Sequence, residues 1–249
     1  MRGFGARVAL QSGPVKMRRA VDDEWVREAE RLHRRYLVEV VEAFGLCPWA
    51  QRARLDGKTR VSILLEADET ALEASMAVLD RWGDEQAEIG FLVYPRLPLG
   101  RLEFDGFVAR LRVVEAERHG LGGAPFALAT FHPDAEPDLG DAERLVPFLR
   151  RTPDACVQAV SMTALERVRR GTIGGTQFVD IASIDANPSD TSAAQSLRER
   201  IARANLETVR RAGVESLRAC FEGIRRDRAQ TYEVLAAREA LPQAPAPHP

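Results

Sequence analysis

The sequence predicts an α/β fold: a mainly parallel or mixed sheet of about four to five strands covered by helices, with a C-terminal helical extension. Three observations carry that expectation. Short β-branched and apolar runs bounded by Gly, Pro or Asp alternate with stretches whose apolar residues fall three and four apart, the pattern of strand followed by helix. Connections between them are short, and parallel neighbours need helical crossovers of this kind. Beyond Asp190 the pattern becomes helical throughout and rich in arginine.

Taken in order, residues 1–20 have no long apolar run and read as a flexible arm. Asp22 and Asp23 open a helix over residues 22–44, whose stripe of Trp25, Ala29, Leu32, Tyr36, Val40 and Ala43 faces a core. His33 lies beside that stripe among arginines and reads as structural or solvent-facing. Gly45 ends the helix, Pro48 suits the first turn of a second one over residues 48–55, and Asp56 with Gly57 stops it. Residues 59–65 read as a strand, and Asp68 caps a helix carrying Leu72, Met76 and Leu79. A second strand covers 87–94, closed by Pro95 and Pro98, and a helix covers 104–118. The run 125–131 is apolar throughout, as in a central parallel strand buried on both faces. A helix follows over 141–151, then a strand over 156–162 and a helix over 164–170. The run 172–184 is a further strand or an extended flap. Gly213 and Gly223 mark breaks in the helical region that spans 191–237, whose stripe begins with Leu197, Ile201, Ala204, Leu206 and Val209. The expected organisation is an α/β domain over 21–186, a helical region over 187–240 packed on that domain or on a partner, and a proline-rich disordered tail over 241–249.

Bulk properties narrow the function classes. The chain has 249 residues, enough for a large core without a disulfide or a metal. It is 45% hydrophobic and 29% charged, with 35 basic against 37 acidic side chains and a net charge of -2. A nucleic-acid partner would call for a basic excess, and a membrane partner for a long apolar span; neither is present in the sequence. Cys47, Cys156 and Cys220 are odd in number and form no CxxC pair, which points to a reducing cytoplasm.

The segment Gly45, Leu46, Cys47, Pro48, Trp49, Ala50 is where chemistry is most specified. With Pro48 in a helix's first turn, Cys47 falls at the cap position, where amide N–H groups and the helix dipole favour a thiolate. His132 stands at the carboxyl end of a strand, fixed by Pro133 and followed by Asp134, which is where ligands sit in open parallel sheets. A thiol and an imidazole are the minimum for thiolate chemistry, with the histidine taking the thiol proton and returning it to a leaving group. Arg150 and Arg151 close a helix and can clamp a carboxylate or phosphate, or complement the helix end. Trp49 would line the same small-molecule site. Cysteine and histidine also suit a metal, but no four-ligand spacing is present. Gly171, Gly174 and Gly175 form no phosphate loop, and the sequence specifies no cofactor. Asp180, Asp185 and Asp190 could hold a divalent cation, with Asp190 serving equally as a helix cap. Cys156 and Cys220 read as core residues.

The combination of GLCPWA after a long helix, FHPD after an apolar strand, and PFLRRTPD resembles a bacterial family of uncharacterised proteins, domain of unknown function family 1415. The likeness covers about residues 25–170. Cys47, Pro48, Trp49, His132, Pro133 and Arg150 match its pattern, whereas Pro147 and Arg151 depart from it in the third segment. The resemblance implies a shared fold and a shared site, and brings no activity with it. The expectation is therefore a cytoplasmic thiol-dependent enzyme with Cys47 as thiolate, His132 and Asp134 as base and orienting group, and Trp49, Arg150 and Arg151 binding a small anion. The alternatives are a metal-binding protein, or a non-catalytic interaction module that forms homo-oligomers through its C-terminal helices.

Overall fold

A computed structural model describes residues 14–47, 50–134, 138–169 and 197–240. The expected strand or flap over 172–184, the glycines and aspartates around it, the 241–249 tail and Trp49 lie outside those residues. Helix α1 (Pro14–Arg35) starts earlier than Asp22, so the expected arm is helical from Pro14 onward. It continues as a π-helical segment, Tyr36–Glu42, and after a turn the chain enters α2 (Ala50–Leu55). Then follow β1 (Thr59–Ile63), α3 (Thr70–Asp84), β2 (Ile89–Tyr94), α4 (Arg101–His119), β3 (Phe126–Phe131), α5 (Ala142–Leu149), β4 (Ala155–Ser161), α6 (Met162–Arg169), α7 (Leu197–Ala212) and α8 (Val214–Glu239).

The sheet is mixed, in the order β1-β2-β4-β3. β1 and β2 are parallel, and β4 runs antiparallel to both β2 and β3. Among the described residues the apolar strand β3 is therefore an edge and not a central strand, with residues 127–130 only half-buried. The slot between β2 and β3 is filled by β4, which the short helix α5 returns in the opposite direction. Part of the edge is covered from α4: the Arg112 guanidinium donates to the Leu128 carbonyl at 2.8 Å.

Alternation along the strands divides the core in two. One face of the sheet, carrying Phe91, Val93, Phe131 and Cys156, packs with α1, the π-helical segment, α5, α7 and α8. The other, carrying Leu92, Tyr94, Val157 and Ala159, packs with α3 and α4. On that second face Trp82 lies so close over Gly90 that an added Cβ would sit 2.2 Å from its ring.

The C-terminal helices belong to the first core through Leu206, Val209, Leu217, Phe221, Ile224, Tyr232 and Leu235. The left-handed Gly213 separates α7 from α8 at φ 83°, but Gly223 breaks nothing, because the buried Phe221 and Ile224 beside it hold the helix on the core. Polar contacts fasten the same surface. Arg31 and Arg35 bracket Asp227, and hydrogen bonds from them hold its carboxyl well below the usual carboxylate range. Asp154, 1% exposed, accepts from the Arg228 Nε at 2.7 Å and the Tyr232 hydroxyl at 2.8 Å. Burial still pushes its carboxyl up, with Arg228 opposing.

Candidate functional site

Cys47 reaches its place through a change of helix type. In the π-helical segment hydrogen bonds span five residues, as in Ala43 N–H to Val38 O and Leu46 N–H to Val41 O. The buried stripe therefore shifts: Val41 and Leu46 turn inward, and Ala43, expected on the core face, is exposed. Gly45, left-handed at φ 61°, ends the segment. Cys47 is then half-buried against the first core, and its carbonyl accepts from the Ala50 N–H that opens α2. This helix has only six residues. A two-pronged ion pair, Arg54 Nε and Nη2 to the Glu42 carboxylate at 2.6 and 2.8 Å, ties α2 back to the π-helical segment. Cys47 is thus held from both sides.

Tyr36, fully buried at the start of the π-helical segment, is the centre of this neighbourhood. Its hydroxyl donates to the Leu149 carbonyl at 2.9 Å, one residue before Arg150. Burial raises the phenol well above its ordinary value; Cys156 and Cys47 act in the same direction, and Arg150 opposes them. Tyr36 and Cys156 belong to one core cluster, and Cys47 packs against it. Arg150 closes α5, its guanidinium 5.2 Å over the Phe131 ring. Burial, reinforced by Asp154, pushes the Cys156 thiol well up, so it stays protonated. Cys47 and Cys220 are each more accessible than Cys156. None of the three cysteines is in a disulfide.

His132 does not join Cys47. Phe131 points into the first core, so the next residue points to the opposite face, and the His132 ring packs 6.0 Å from Phe104 in the second. Its nitrogens are both engaged by backbone: Nδ1 lies 3.2 Å from the donating Asp134 N–H, and Nε2 lies 3.1 Å from the Leu99 carbonyl. With Nδ1 accepting, Nε2 carries the proton and donates. Both ring nitrogens are thus hydrogen-bonded to backbone and not to the expected thiol. Asp134 meets the ring through its amide, while its carboxylate is 65% exposed and 3.8 Å from Nδ1. Arg151 is likewise no anion clamp: 8% exposed, it donates from Nε to the Pro133 carbonyl at 2.8 Å and lies over the rings of Phe148 and Phe221.

Of the expected set, Cys47 and Arg150 share one neighbourhood; His132, Asp134 and Arg151 lie apart from it in role. Tyr36 was legible only as one more member of an apolar stripe. The signal available was a phenol on an otherwise hydrocarbon face, since a buried hydroxyl needs a partner. His33 is fully buried and 4.7 Å from Phe91, with neither ring nitrogen hydrogen-bonded among the described residues. Among those residues no group of three or more His, Cys, Asp or Glu could hold a metal ion. No described helix is long and apolar enough to cross a membrane. Comparison with protein-family models, curated proteins and solved structures returns no match.

Proposed function

We propose that this protein is a cysteine-dependent enzyme acting on a small anionic molecule, with Cys47 as the nucleophile and Arg150 as the cation that favours the thiolate and receives the anion. The observation that carries the reading is that the half-buried Cys47 packs against the core cluster of Tyr36, Leu149 and Phe131, the last being the ring under the Arg150 guanidinium. A cation near a thiol stabilises its charged form, and the thiolate is the reactive species. No histidine is needed for that activation. The reaction class is thiol redox chemistry or acyl transfer, both of which begin with an attack by sulfur. Kinship with family 1415 is part of the reading and rests on the segments around Cys47, His132 and Arg150. The cytoplasm is the compartment that keeps such a thiol reduced. Homo-oligomers through α7 and α8 would have to use the charged outer faces of those helices, because their apolar stripe is buried within the chain.

Two alkylating reagents of similar size test the proposal. Iodoacetate is an anion and iodoacetamide is neutral, so an anion-receiving site raises the ratio of their rates at Cys47 above the ratio at the half-buried Cys220. Peptide mass spectrometry reads the two cysteines separately. Arg150→Gln should bring the Cys47 ratio down to that of Cys220. Equal ratios in the unaltered protein, with no change on substitution, would overturn the reading.

A further inference from the structure

We infer that Tyr36 is the positioning residue of this site: its hydroxyl fixes the turn that presents Arg150 to the Cys47 sulfur. The inference rests on the reading of Cys47 and Arg150 given above and adds a regulator of their spacing.

Three features of the fold support it. The Tyr36 hydroxyl donates at 2.9 Å to the carbonyl of Leu149, the last residue of α5, and the next residue is Arg150. At a helix end the last carbonyls have no partner within the helix, so a side-chain donor there decides how the chain leaves. Leaving α5, the chain is bonded again through the Arg150 carbonyl, which accepts from the His132 and Thr152 N–H groups. Tyr36 and that pair of amides hold the backbone on both sides of the Arg150 Cα, and the Phe131 ring supports the guanidinium.

The second feature is the path from Tyr36 to Cys47. Eleven residues of uninterrupted α-helix would separate them by about 16 Å along the axis. The π-helical segment starting at Tyr36 and the left-handed turn at Gly45 interrupt that course, and Cys47 packs against the same core cluster that holds Tyr36 and Leu149. π-helical turns recur where a helix has to re-aim a functional group. The third feature is rigidity. Tyr36 is fully buried, and its ring lies stacked on Phe221 of α8 at an interplanar angle of 24°, so the hydroxyl has little freedom to drift.

A double-mutant cycle tests the inference, reading the pH profile of Cys47 alkylation by peptide mass spectrometry. Tyr36→Phe removes the hydroxyl and keeps the ring. The variant should label Cys47 about three- to tenfold more slowly at neutral pH, with the midpoint of the profile moved up, because a misplaced cation stabilises the thiolate less. Arg150→Gln should give a similar or larger loss. Combined, the two substitutions should lose no more than Arg150→Gln alone, since Tyr36 acts through Arg150. A general loosening of the core would instead speed labelling of Cys156 and add to the Arg150 effect. If Arg150→Gln slows labelling and Tyr36→Phe does not, the positioning role is overturned and the enzyme reading stands. If neither matters, both are overturned.

Discussion

His33 makes stability depend on acid in a way that can be calculated from its surroundings. The ring is 0% exposed, lies 4.7 Å from Phe91 and 6.0 Å from Tyr36, and has no hydrogen-bonded nitrogen among the described residues. Burial alone pushes its pKa down from 6.5 to about 3. The unfolded chain therefore takes up a proton near pH 6.5 that the folded chain refuses until about pH 3. Stability is at its full value above pH 6.5 and falls by about 1.4 kcal/mol for each pH unit below it. From the high-pH plateau down to pH 4.5 that amounts to about 2.7 kcal/mol, a large share of a typical domain's 5–15 kcal/mol.

His33→Leu removes the titrating group and leaves an apolar side chain among aromatic ones. At pH 7 the variant should be as stable as the unaltered protein or up to about 2 kcal/mol more so, because an unpartnered buried N–H and ring nitrogen no longer have to be desolvated. Urea unfolding followed by far-ultraviolet circular dichroism at pH 7, 6, 5 and 4.5 gives the comparison. Carboxylates titrate in the same range, but they do so equally in both proteins, so the difference between the two stability curves isolates His33. That difference should widen by about 1.4 kcal/mol per pH unit toward acid. Curves that stay parallel would mean that the imidazole is solvated or charged in the folded protein, and the burial argument would be refuted.

Gly90→Ala places a methyl group 2.2 Å from the fully buried Trp82 ring, which α3 cannot easily withdraw; a loss of about 3 kcal/mol is expected in thermal unfolding, and one below about 1 kcal/mol would contradict the close approach. Asp154→Ala leaves the Arg228 guanidinium and the Tyr232 hydroxyl without their shared acceptor and should cost about 3 kcal/mol, with amide exchange rising along α8. Asp154→Asn keeps an acceptor and should cost roughly 1 kcal/mol; equal losses for the two variants would show that the charge, and not the hydrogen bonds, holds α8 down.

The elements of the fold were legible because each is written locally. Residues 59–65 and 87–94 are short runs of β-branched and apolar residues next to turn residues, Asp141 caps α5 through bonds to the Glu143 and Arg144 amides, and Gly213 ends α7 with a positive φ. Pairing is not written locally. The apolar character of 126–131 is equally suited to a central parallel strand and to an edge shielded by Arg112, and only the return path of α5 decides between them. The π-helical segment escaped for a related reason: Tyr36 and Val40 satisfy a spacing of four whether or not the next bonds span five residues. Ala43 then falls outside and Leu46 inside. Cys47 and Arg150 were legible as chemistry, because thiol and guanidinium are conspicuous residue types. Their shared neighbour Tyr36 was not, because an aromatic in a core stripe has a sufficient explanation without it.

The engagement of the His132 ring by backbone follows from how the sheet's end is closed. Ligands gather at the carboxyl ends of strands in open parallel sheets because that end lies vacant between crossovers. Here β4 enters the sheet at that same end in the opposite direction, bringing residues 150–154 to the exit of β3. The two segments lock backbone to backbone and side chain to backbone, through His132 N–H to Arg150 O at 3.1 Å and the Arg151 Nε to Pro133 O at 2.8 Å, while the Thr152 hydroxyl braces the second segment internally by donating to Asp154 O at 2.6 Å. His132 then spends its ring on Leu99 and the Asp134 amide. The HPD and RRTPD segments meet, as functional segments would, but they meet to satisfy one another. A lock of this kind fills the strand mouth with its own polar groups, and the turn it fixes sets Arg150 over the Phe131 ring, a member of the core against which Cys47 packs.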